Sequence, residues 1–419
     1  MIDKLLLLLA IYLPFQIALS PAEGIDAASI RLFIPALFLL WILIGLKNKH
    51  VVIRFNIQTL LVFSFLFFSA FSLFFTENLG WGLRKLLFLL SIFPLYFIAS
   101  AQLIKNKTLS EKILKYFVIG ATIISSIGIT QFLLQFFIGI DPLFQLWSKI
   151  IIPFLGKSFA EAVITNNSWL VNLGGSTVFR ATSLLPDPHM LAFYLNMTAP
   201  LALGFFLKNK KQVYFYAFSI ISLGSFLTFS RGGYLGFIGA IVFFTLFLFY
   251  RNITKEHLKK LAITVFLALI ILTTPNPISN RLTSSFNLSE GSNSQRIETW
   301  KQSLEVIGNH TFLGVGLGNY ALEIKPSASW REPIYSHNLF LDIAAEIGIL
   351  GVLAWILLLY YSIKSSSATY LKNNRILGLA VASSIIAFVV HSIFETALFS
   401  VHILPLLLIL ISTNLNEDN

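Results

Sequence analysis

One histidine stands where it can do acid–base chemistry. His337 lies in Tyr-Ser-His-Asn at the start of a long apolar run. Imidazole titrates near neutrality, so it can take a proton from a hydroxyl group or return one. Glu346 lies in the same run, roughly 13 Å along it if the run is helical. A carboxylate at that depth is costly unless it is paired or hydrated, so we expect it to be functional or buried against a partner.

Four cations flank other apolar runs. Arg231 lies in Thr-Phe-Ser-Arg-Gly-Gly-Tyr, Arg180 lies in Val-Phe-Arg-Ala-Thr, and Arg84 and Lys85 open a further run. Guanidinium groups suit phosphate oxygens, so these residues predict a phosphate or diphosphate site. An alternative for Arg231 is a side chain that snorkels from a plain hairpin. The alternative for Arg84 and Lys85 is an ion pair with Glu77.

Other polar residues are more simply interpreted as structural. Asp187 is expected to cap the helix that follows it. His391 and Glu395 are predicted to form a structural pair one helical turn apart, and Gly314, Gly316 and Gly318 are interpreted as turn glycines. No Asp-x-Asp, His-x-x-x-His or His-Glu-x-x-His spacing occurs, so we predict neither a metal site nor a cofactor.

The composition indicates a membrane protein. The 419 residues are 56% hydrophobic and 12% charged, without cysteine, and the mean hydropathy is +0.79. Soluble chains carry about 25% charged residues. A soluble enzyme, a disulfide scaffold, a cysteine-ligated metal site and a disordered regulator are therefore excluded.

Twelve apolar runs are long enough for helices that cross a bilayer. We therefore predict an all-α polytopic membrane protein with about twelve transmembrane helices in a single integral membrane domain, 1–419. The runs are 4–20, 30–46, 57–75, 84–104, 113–138, 189–207, 212–230, 233–250, 258–274, 337–362, 376–394 and 397–413.

The distribution of charge predicts the orientation. Lysine and arginine concentrate in alternate loops, which places both termini in the cytoplasm. The net charge of +11 therefore reflects topology and not a nucleic-acid partner. Two longer loops, 139–188 and 275–336, fall on the extracytoplasmic side. The first contains an interfacial or re-entrant piece at 150–155, and the second an amphipathic helix at 294–308, whose apolar residues are Ile297, Trp300, Leu304 and Ile307.

The cations and His337 would then gather at one membrane surface. A diphosphate on a lipid carrier would lie at this depth with its tail in the bilayer, and arginines would stabilise it as it leaves. Gly348 and Gly351 are predicted to share the helix face of His337, where they allow a helix or a substrate tail to approach closely.

Several motifs together resemble those of one family. His337-Asn338, nine residues and Gly348-x-x-Gly351 resemble the signature of the bacterial O-antigen ligase family, which includes O-antigen polymerases and protein O-oligosaccharyltransferases. Further elements are similar to that family's. They are Ser230-Arg231-Gly232-Gly233, Phe179-Arg180 followed by Pro188-His189 (with His189 in the usual place of Asn), Arg296-x-x-x-Trp300, and Gly314-x-Gly316-x-Gly318-Asn319.

The resemblance implies a metal-independent glycosyltransferase of the GT-C type in the bacterial plasma membrane. It would move a glycan from undecaprenyl diphosphate to an acceptor on the extracytoplasmic side. Arg180 and Arg231 would bind the diphosphate, with Arg84 and Lys85 as weaker candidates, and His337 would orient or deprotonate the acceptor. Asn338, Gly348, Gly351, Arg296 and His189 would support the site.

The acceptor stays open at this point. Lipid A-core is favoured, which would make the protein a ligase in lipopolysaccharide biosynthesis. A second lipid-linked repeat would make it a polysaccharide polymerase, and a serine or threonine would make it a protein O-oligosaccharyltransferase. A different class is a flippase or transporter of lipid-linked sugar, but cations gathered at one membrane edge favour an enzyme.

Overall fold

The computed structural model describes residues 1–22, 25–49, 51–165, 168–173, 175–250, 291–330, 334–373 and 375–413. The predicted run 258–274 and the first part of the predicted loop 275–336 lie outside the described residues. Over the described part the protein is mostly helical, and this confirms the predicted class of polytopic membrane protein in outline.

The helices follow the apolar runs. In chain order they are α1 (Ile2–Tyr12), α2 (Ile30–Lys47), α3 (Ile57–Phe71), α4 (Leu79–Ile92), α5 (Pro94–Lys105), α6 (Lys107–Ile138), α7 (Ile140–Ile150), α8 (Ile152–Leu155), α9 (Lys157–Thr165), α10 (Pro188–Asn209), α11 (Gln212–Phe226), α12 (Arg231–Tyr250), α13 (Gly291–Asn309), α14 (Tyr320–Ile324), α15 (Leu339–Asn373), α16 (Ile376–His391) and α17 (Ile403–Ser412).

Seven helical segments in the described ranges are long and apolar enough to cross a membrane, with α4 and α5 counted as one segment. Three shorter apolar helices, α11, α16 and α17, accompany them. The total of about twelve spans and the GT-C architecture stay predictions.

Two short β-hairpins are additions to the predicted all-α fold. The predicted first run, 4–20, is helical only to Phe15, because α1 ends at Tyr12 and a 3-10 turn with Pro14 follows. β1 (Ala18–Ala22) then pairs antiparallel with β2 (Ile25–Ala28). β3 (Leu170–Leu173) pairs in the same way with β4 (Ser176–Phe179), just before Arg180.

The core of the bundle forms where α16 packs against α10, α12 and α15. Small residues let these helices approach closely. A Cβ atom added at Gly236 of α12 would lie 2.9 Å from the carbonyl oxygen of Ala387 in α16. One added at Gly204 of α10 would lie 2.7 Å from the Cβ of Ala380. The close packing fixes the relative positions of the helix ends that carry the candidate site.

The segment predicted as an amphipathic helix, 294–308, is helical as part of α13, and its most buried residues differ from the predicted ones. Val306 and Ser303 are buried, whereas Leu304 is 58% exposed. The hydroxyl of Ser303 lies 2.7 Å from that of Tyr320, and α13 packs against α15. Ser303 and Val306 therefore lie at the centre of the buried face, and Leu304 lies outside it.

Helix α15 is broken at Gly348, which has φ 79° and ψ −178°. The loop that follows α13 lies against this break. Val315 donates its N–H to the carbonyl of Ala345 at 2.8 Å, and Ile349 donates to the carbonyl of Thr311 at 2.9 Å. Gly348 therefore receives a loop, and the prediction that it shares a continuous helix face with His337 is wrong.

We expect Gly348→Ala to destabilise the protein by at least about 1–3 kcal/mol, because only glycine adopts this backbone conformation readily. A Cβ there would also lie 2.1 Å from the carbonyl oxygen of Phe312. The measurement is the melting temperature of the detergent-purified protein. Gly308→Ala is the matched control, since nothing lies within 4 Å of a Cβ at that position. Equal melting temperatures of the two variants would contradict the expectation.

Candidate active site

Three helix N-termini and one loop meet at one end of the bundle. The first turn of α10 touches that of α12, since His189 Nδ1 lies 2.9 Å from Ser230 Oγ. The first residue of α15, Leu339, donates its N–H to the carbonyl of Ser392 at 2.9 Å, in the loop after α16. Helix N-termini carry partial positive charge, so this convergence favours anions.

His337 lies just before α15 and not within it. Its backbone has φ 54°, an uncommon conformation for a residue with a side chain. The side chain is 47% exposed, and Nδ1 lies 2.9 Å from Glu395 Oε1. The prediction that His337 begins a helix and shares a face with Gly351 is therefore wrong. Its ring instead lies at the surface, where it contacts the carboxylate of Glu395.

Glu395 connects the polar groups of the site. Its side chain is only 12% exposed, and Oε2 lies 3.7 Å from the Nη2 of Arg296 and 3.9 Å from the Nδ1 of His189. Burial opposes ionisation, but the hydrogen bond from His337 and the charge of Arg296 hold the pKa of the Glu395 carboxyl well below its usual range. The carboxylate is therefore ionised and accepts the hydrogen bond from His337.

The same hydrogen bond raises the pKa of His337 above its ordinary value, against the opposing effect of burial. With Nδ1–H directed at Glu395, Nε2 is the ring nitrogen that can accept a proton. A carboxylate that fixes the tautomer and orientation of a histidine in this way is the arrangement found in general-base pairs.

Glu395 does not lie where the sequence pattern predicts. The predicted one-turn pair with His391 is absent, because α16 ends at His391 and Glu395 lies in the loop beyond. His391 is fully buried and its ring stacks on Phe193, with 3.6 Å between ring centroids. One signal could have identified Glu395 as a site residue. It lies beside an apolar run, where a carboxylate is costly unless it has a partner.

Arg180 joins the β3–β4 hairpin to the turn before α12. It is 5% exposed; Nε donates to the carbonyl of Thr228 at 2.7 Å, and Nη1 donates to that of Ser168 at 2.8 Å. Arg231 is the first residue of α12 and is 6% exposed. The alternative of a snorkelling Arg231 is therefore wrong, because the residue is buried in protein.

The glycines after Arg231 bring its helix against two neighbours. A Cβ at Gly232 would lie 2.9 Å from both His391 Cδ2 and Phe394 Cβ. A Cβ at Gly233 would lie 2.8 Å from that of Ala192 in α10. These positions accept only glycine without a shift of the neighbours, and they fix where Arg231 begins its helix.

Two side chains cap the helices of the site. Asp187 accepts a hydrogen bond from the N–H of Met190 at 2.9 Å, which confirms the predicted cap of α10. Burial raises the pKa of Asp187 to about 6. Asn338 accepts from the N–H groups of Phe340 and Leu341 at 3.0 and 3.2 Å, so it caps α15 directly beside His337.

Lys85 and Arg84 have partners other than the predicted Glu77. The Nζ of Lys85 lies 2.5 Å from Glu346 Oε1, so the deep carboxylate of α15 is paired. The guanidinium of Arg84 lies over the ring of Trp330, 5.3 Å from its centroid. These cations are thus beside the site, and they do not join the group around Glu395.

Comparison with known proteins supports the assignment that the motifs suggest. Residues 216–356 match the family model described as O-antigen ligase. The matched range includes Arg231, Arg296, His337, Gly348 and Gly351. No curated protein matches the chain. Residues 216–356 are therefore similar to the O-antigen ligase family, and this match confirms the resemblance that the motifs suggest.

Proposed function

We propose that this chain, whose residues 216–356 match the O-antigen ligase family model, transfers a glycan from undecaprenyl diphosphate to an acceptor hydroxyl group. The transfer takes place on the extracytoplasmic side of the bacterial plasma membrane, and lipid A-core is the favoured acceptor. The observation that carries the proposal is the His337–Glu395 pair, 2.9 Å apart, beside the helix that begins with Arg231.

His337 is the general base in this proposal. Glu395 holds the Nδ1–H, and Nε2 removes the proton of the acceptor hydroxyl as its oxygen attacks the anomeric carbon. The bond between that carbon and the diphosphate oxygen breaks, and the diphosphate leaves with the electron pair. His337 then loses the proton to water. Arg296 acts as a positioning residue, because it holds Glu395 ionised and in place. His189 supports the site through its contact with Ser230 Oγ.

Arg180 and Arg231 stabilise the leaving diphosphate. Both arginines are anchored in protein, and the N-termini of α10 and α12 add positive potential beside them. Fixed positive groups of this kind stabilise charge that develops in the transition state. No metal is required by this scheme, and treatment with EDTA tests that point.

We expect Arg231→Ala to lower the rate constant for transfer by about 10²–10³-fold, the effect of removing one fixed donor from a transition state. Arg231→Lys keeps the charge but loses the planar fork, so its rate constant should fall between those of Ala and the wild type. The measurement is kcat with purified protein in liposomes. Arg375→Lys, at the opposite end of the bundle before α16, is the control. If Arg231→Ala has the same kcat as the wild type, Arg231 does not stabilise the leaving diphosphate.

The proposal is tested by transfer in proteoliposomes that contain a lipid-linked oligosaccharide donor. Parallel samples receive lipid A-core, a serine- and threonine-containing peptide, or no acceptor, each with and without EDTA. Product on lipid A-core that persists in EDTA supports the ligase. Product on the peptide, or longer lipid-linked chains without acceptor, identifies one of the alternatives. Absence of transfer in every sample contradicts the proposed function.

A further inference from the structure

A cavity of about 320 Å³ lies beside the candidate active site. Its volume is at the lower end of the range for small-ligand pockets. It is lined by residues from the start of α4, from α9, from the lead into α10 and from the segment just before His337. The residues that the argument uses are Trp81, Lys85, Asp187, Trp330, Tyr335 and Glu346.

The wall of the cavity is aromatic and fixed. Trp81 and Trp330 meet edge to face, with ring centroids 5.4 Å apart. Arg84 lies over the ring of Trp330 and holds it further. Tyr335 adds a third ring, and the Nζ of Lys85 lies 5.8 Å from its centroid. Such rings offer flat apolar area with little loss of conformational entropy on binding.

The polar groups of the cavity suit a neutral ligand that has many hydroxyl groups. The positive charge of Lys85 is matched by Glu346, and the two side chains together offer hydrogen-bond donors and acceptors without net charge. Asp187 adds a further carboxyl group to the lining. A diphosphate would meet two carboxyl groups here, so the cavity differs in character from the region of Arg180 and Arg231.

The cavity borders chain segments that lead directly into the candidate site. Tyr335 is two residues before His337, and Asp187 is two residues before His189. Ser168 also lines it, and the carbonyl of that residue accepts the hydrogen bond from Arg180. A ligand held in the cavity would therefore lie beside the chain segments that lead into His337 and His189 and beside a residue that holds Arg180.

We propose that this cavity binds one sugar ring of a reacting glycan, with the ring stacked on Trp330 and its hydroxyl groups directed at Asp187 and the Lys85–Glu346 pair. The inference rests on the proposed function, and it adds residues that determine which glycan is accepted. The C–H face of a pyranose is apolar and its edge is polar, which matches the two kinds of wall. The ring belongs to the donor or to the acceptor, and the test separates the two.

The test is steady-state kinetics of Trp330→Ala, Trp330→Phe and the wild type, with donor and acceptor varied separately. We expect Trp330→Ala to raise the KM for one of the two glycans about tenfold, with little change in kcat, and Trp330→Phe to restore most of the loss. Phe137→Ala, at an 84% exposed aromatic side chain at the end of α6, is the control. The substrate whose KM rises is the one that occupies the cavity.

Unchanged KM for both glycans, or a fall in kcat alone, would overturn the proposal while leaving the proposed function intact. If the wild type transfers nothing, the proposed function fails. A binding experiment then tests separately whether the cavity holds a sugar. Saturation-transfer NMR then compares the delipidated donor and acceptor oligosaccharides on wild type and Trp330→Ala. A signal from either oligosaccharide that weakens in the variant supports the cavity. Equal signals, or none, overturn it.

Discussion

Replacing His337 with alanine should lower the rate constant for glycan transfer by about 10²–10⁴-fold, the usual contribution of a general base. The ring is 47% exposed and its only side-chain partner among the described residues is Glu395, so its removal should leave the fold intact. The measurement is the single-turnover rate with saturating donor and acceptor, which separates chemistry from release of product.

His310→Ala is the matched control for this variant. His310 is similarly exposed, at 43%, and lies 3.9 Å from a carboxylate oxygen of Glu323, so it too is a surface histidine beside an acid. We expect its rate to match that of the wild type. If His337→Ala and His310→Ala transfer glycan equally fast, His337 is not the base.

Glu395→Gln should lower the rate constant by about 10²–10⁴-fold, because loss of the carboxylate behind a catalytic histidine destroys its tautomer preference. Glutamine keeps the shape of the side chain but not its charge. Binding of the donor should change less than kcat, since Glu395 acts through His337 and does not touch the substrate. Glu305→Gln, on the exposed face of α13, is the control.

The pH profile distinguishes this positioning role from a merely structural one. Glu395 raises the pKa of His337, and only neutral His337 can accept the proton. Activity of the wild type should therefore fall as the pH drops through that raised pKa. In Glu395→Gln the pKa is no longer raised, so the residual activity should fall off at a lower pH. An acid limb at the same pH in both proteins would contradict the role of Glu395.

Much of the fold follows from the sequence because apolar runs of this length have few structural solutions in a membrane. The helices that begin at Pro188 and Arg231 lie close to the predicted runs 189–207 and 233–250. The cap at Asp187 follows equally directly from local chemistry. The β-hairpins do not, because their strands are short and one of them lies within an apolar run that suggested helix.

The centre of the site could be predicted only in part. Local motifs identified His337 and Arg231. The partner of His337, Glu395, is 58 residues away in the chain, and the pattern around Glu395 predicted a helix. Periodicity placed Glu395 one turn from His391, whereas the helix ends at His391 and the chain turns back. The break at Gly348 was missed for a similar reason, because the loop that fills it comes from before His337.

The ion pair of Lys85 illustrates the same limit. The sequence places Lys85 near Glu77 and far from Glu346, so the nearer acid was the natural partner. The tertiary fold brings Lys85 of α4 and Glu346 of α15 together instead. Pairing across helices depends on tertiary structure, which neither spacing nor composition encodes locally.

The most direct test of the account measures two products in one proteoliposome sample: the glycan joined to acceptor and the undecaprenyl diphosphate released. The wild type should form the two in equal amounts, and His337→Ala should form neither above background over the same time. Movement of lipid-linked glycan across the membrane without either product, or equal amounts of both products in His337→Ala, would contradict the account.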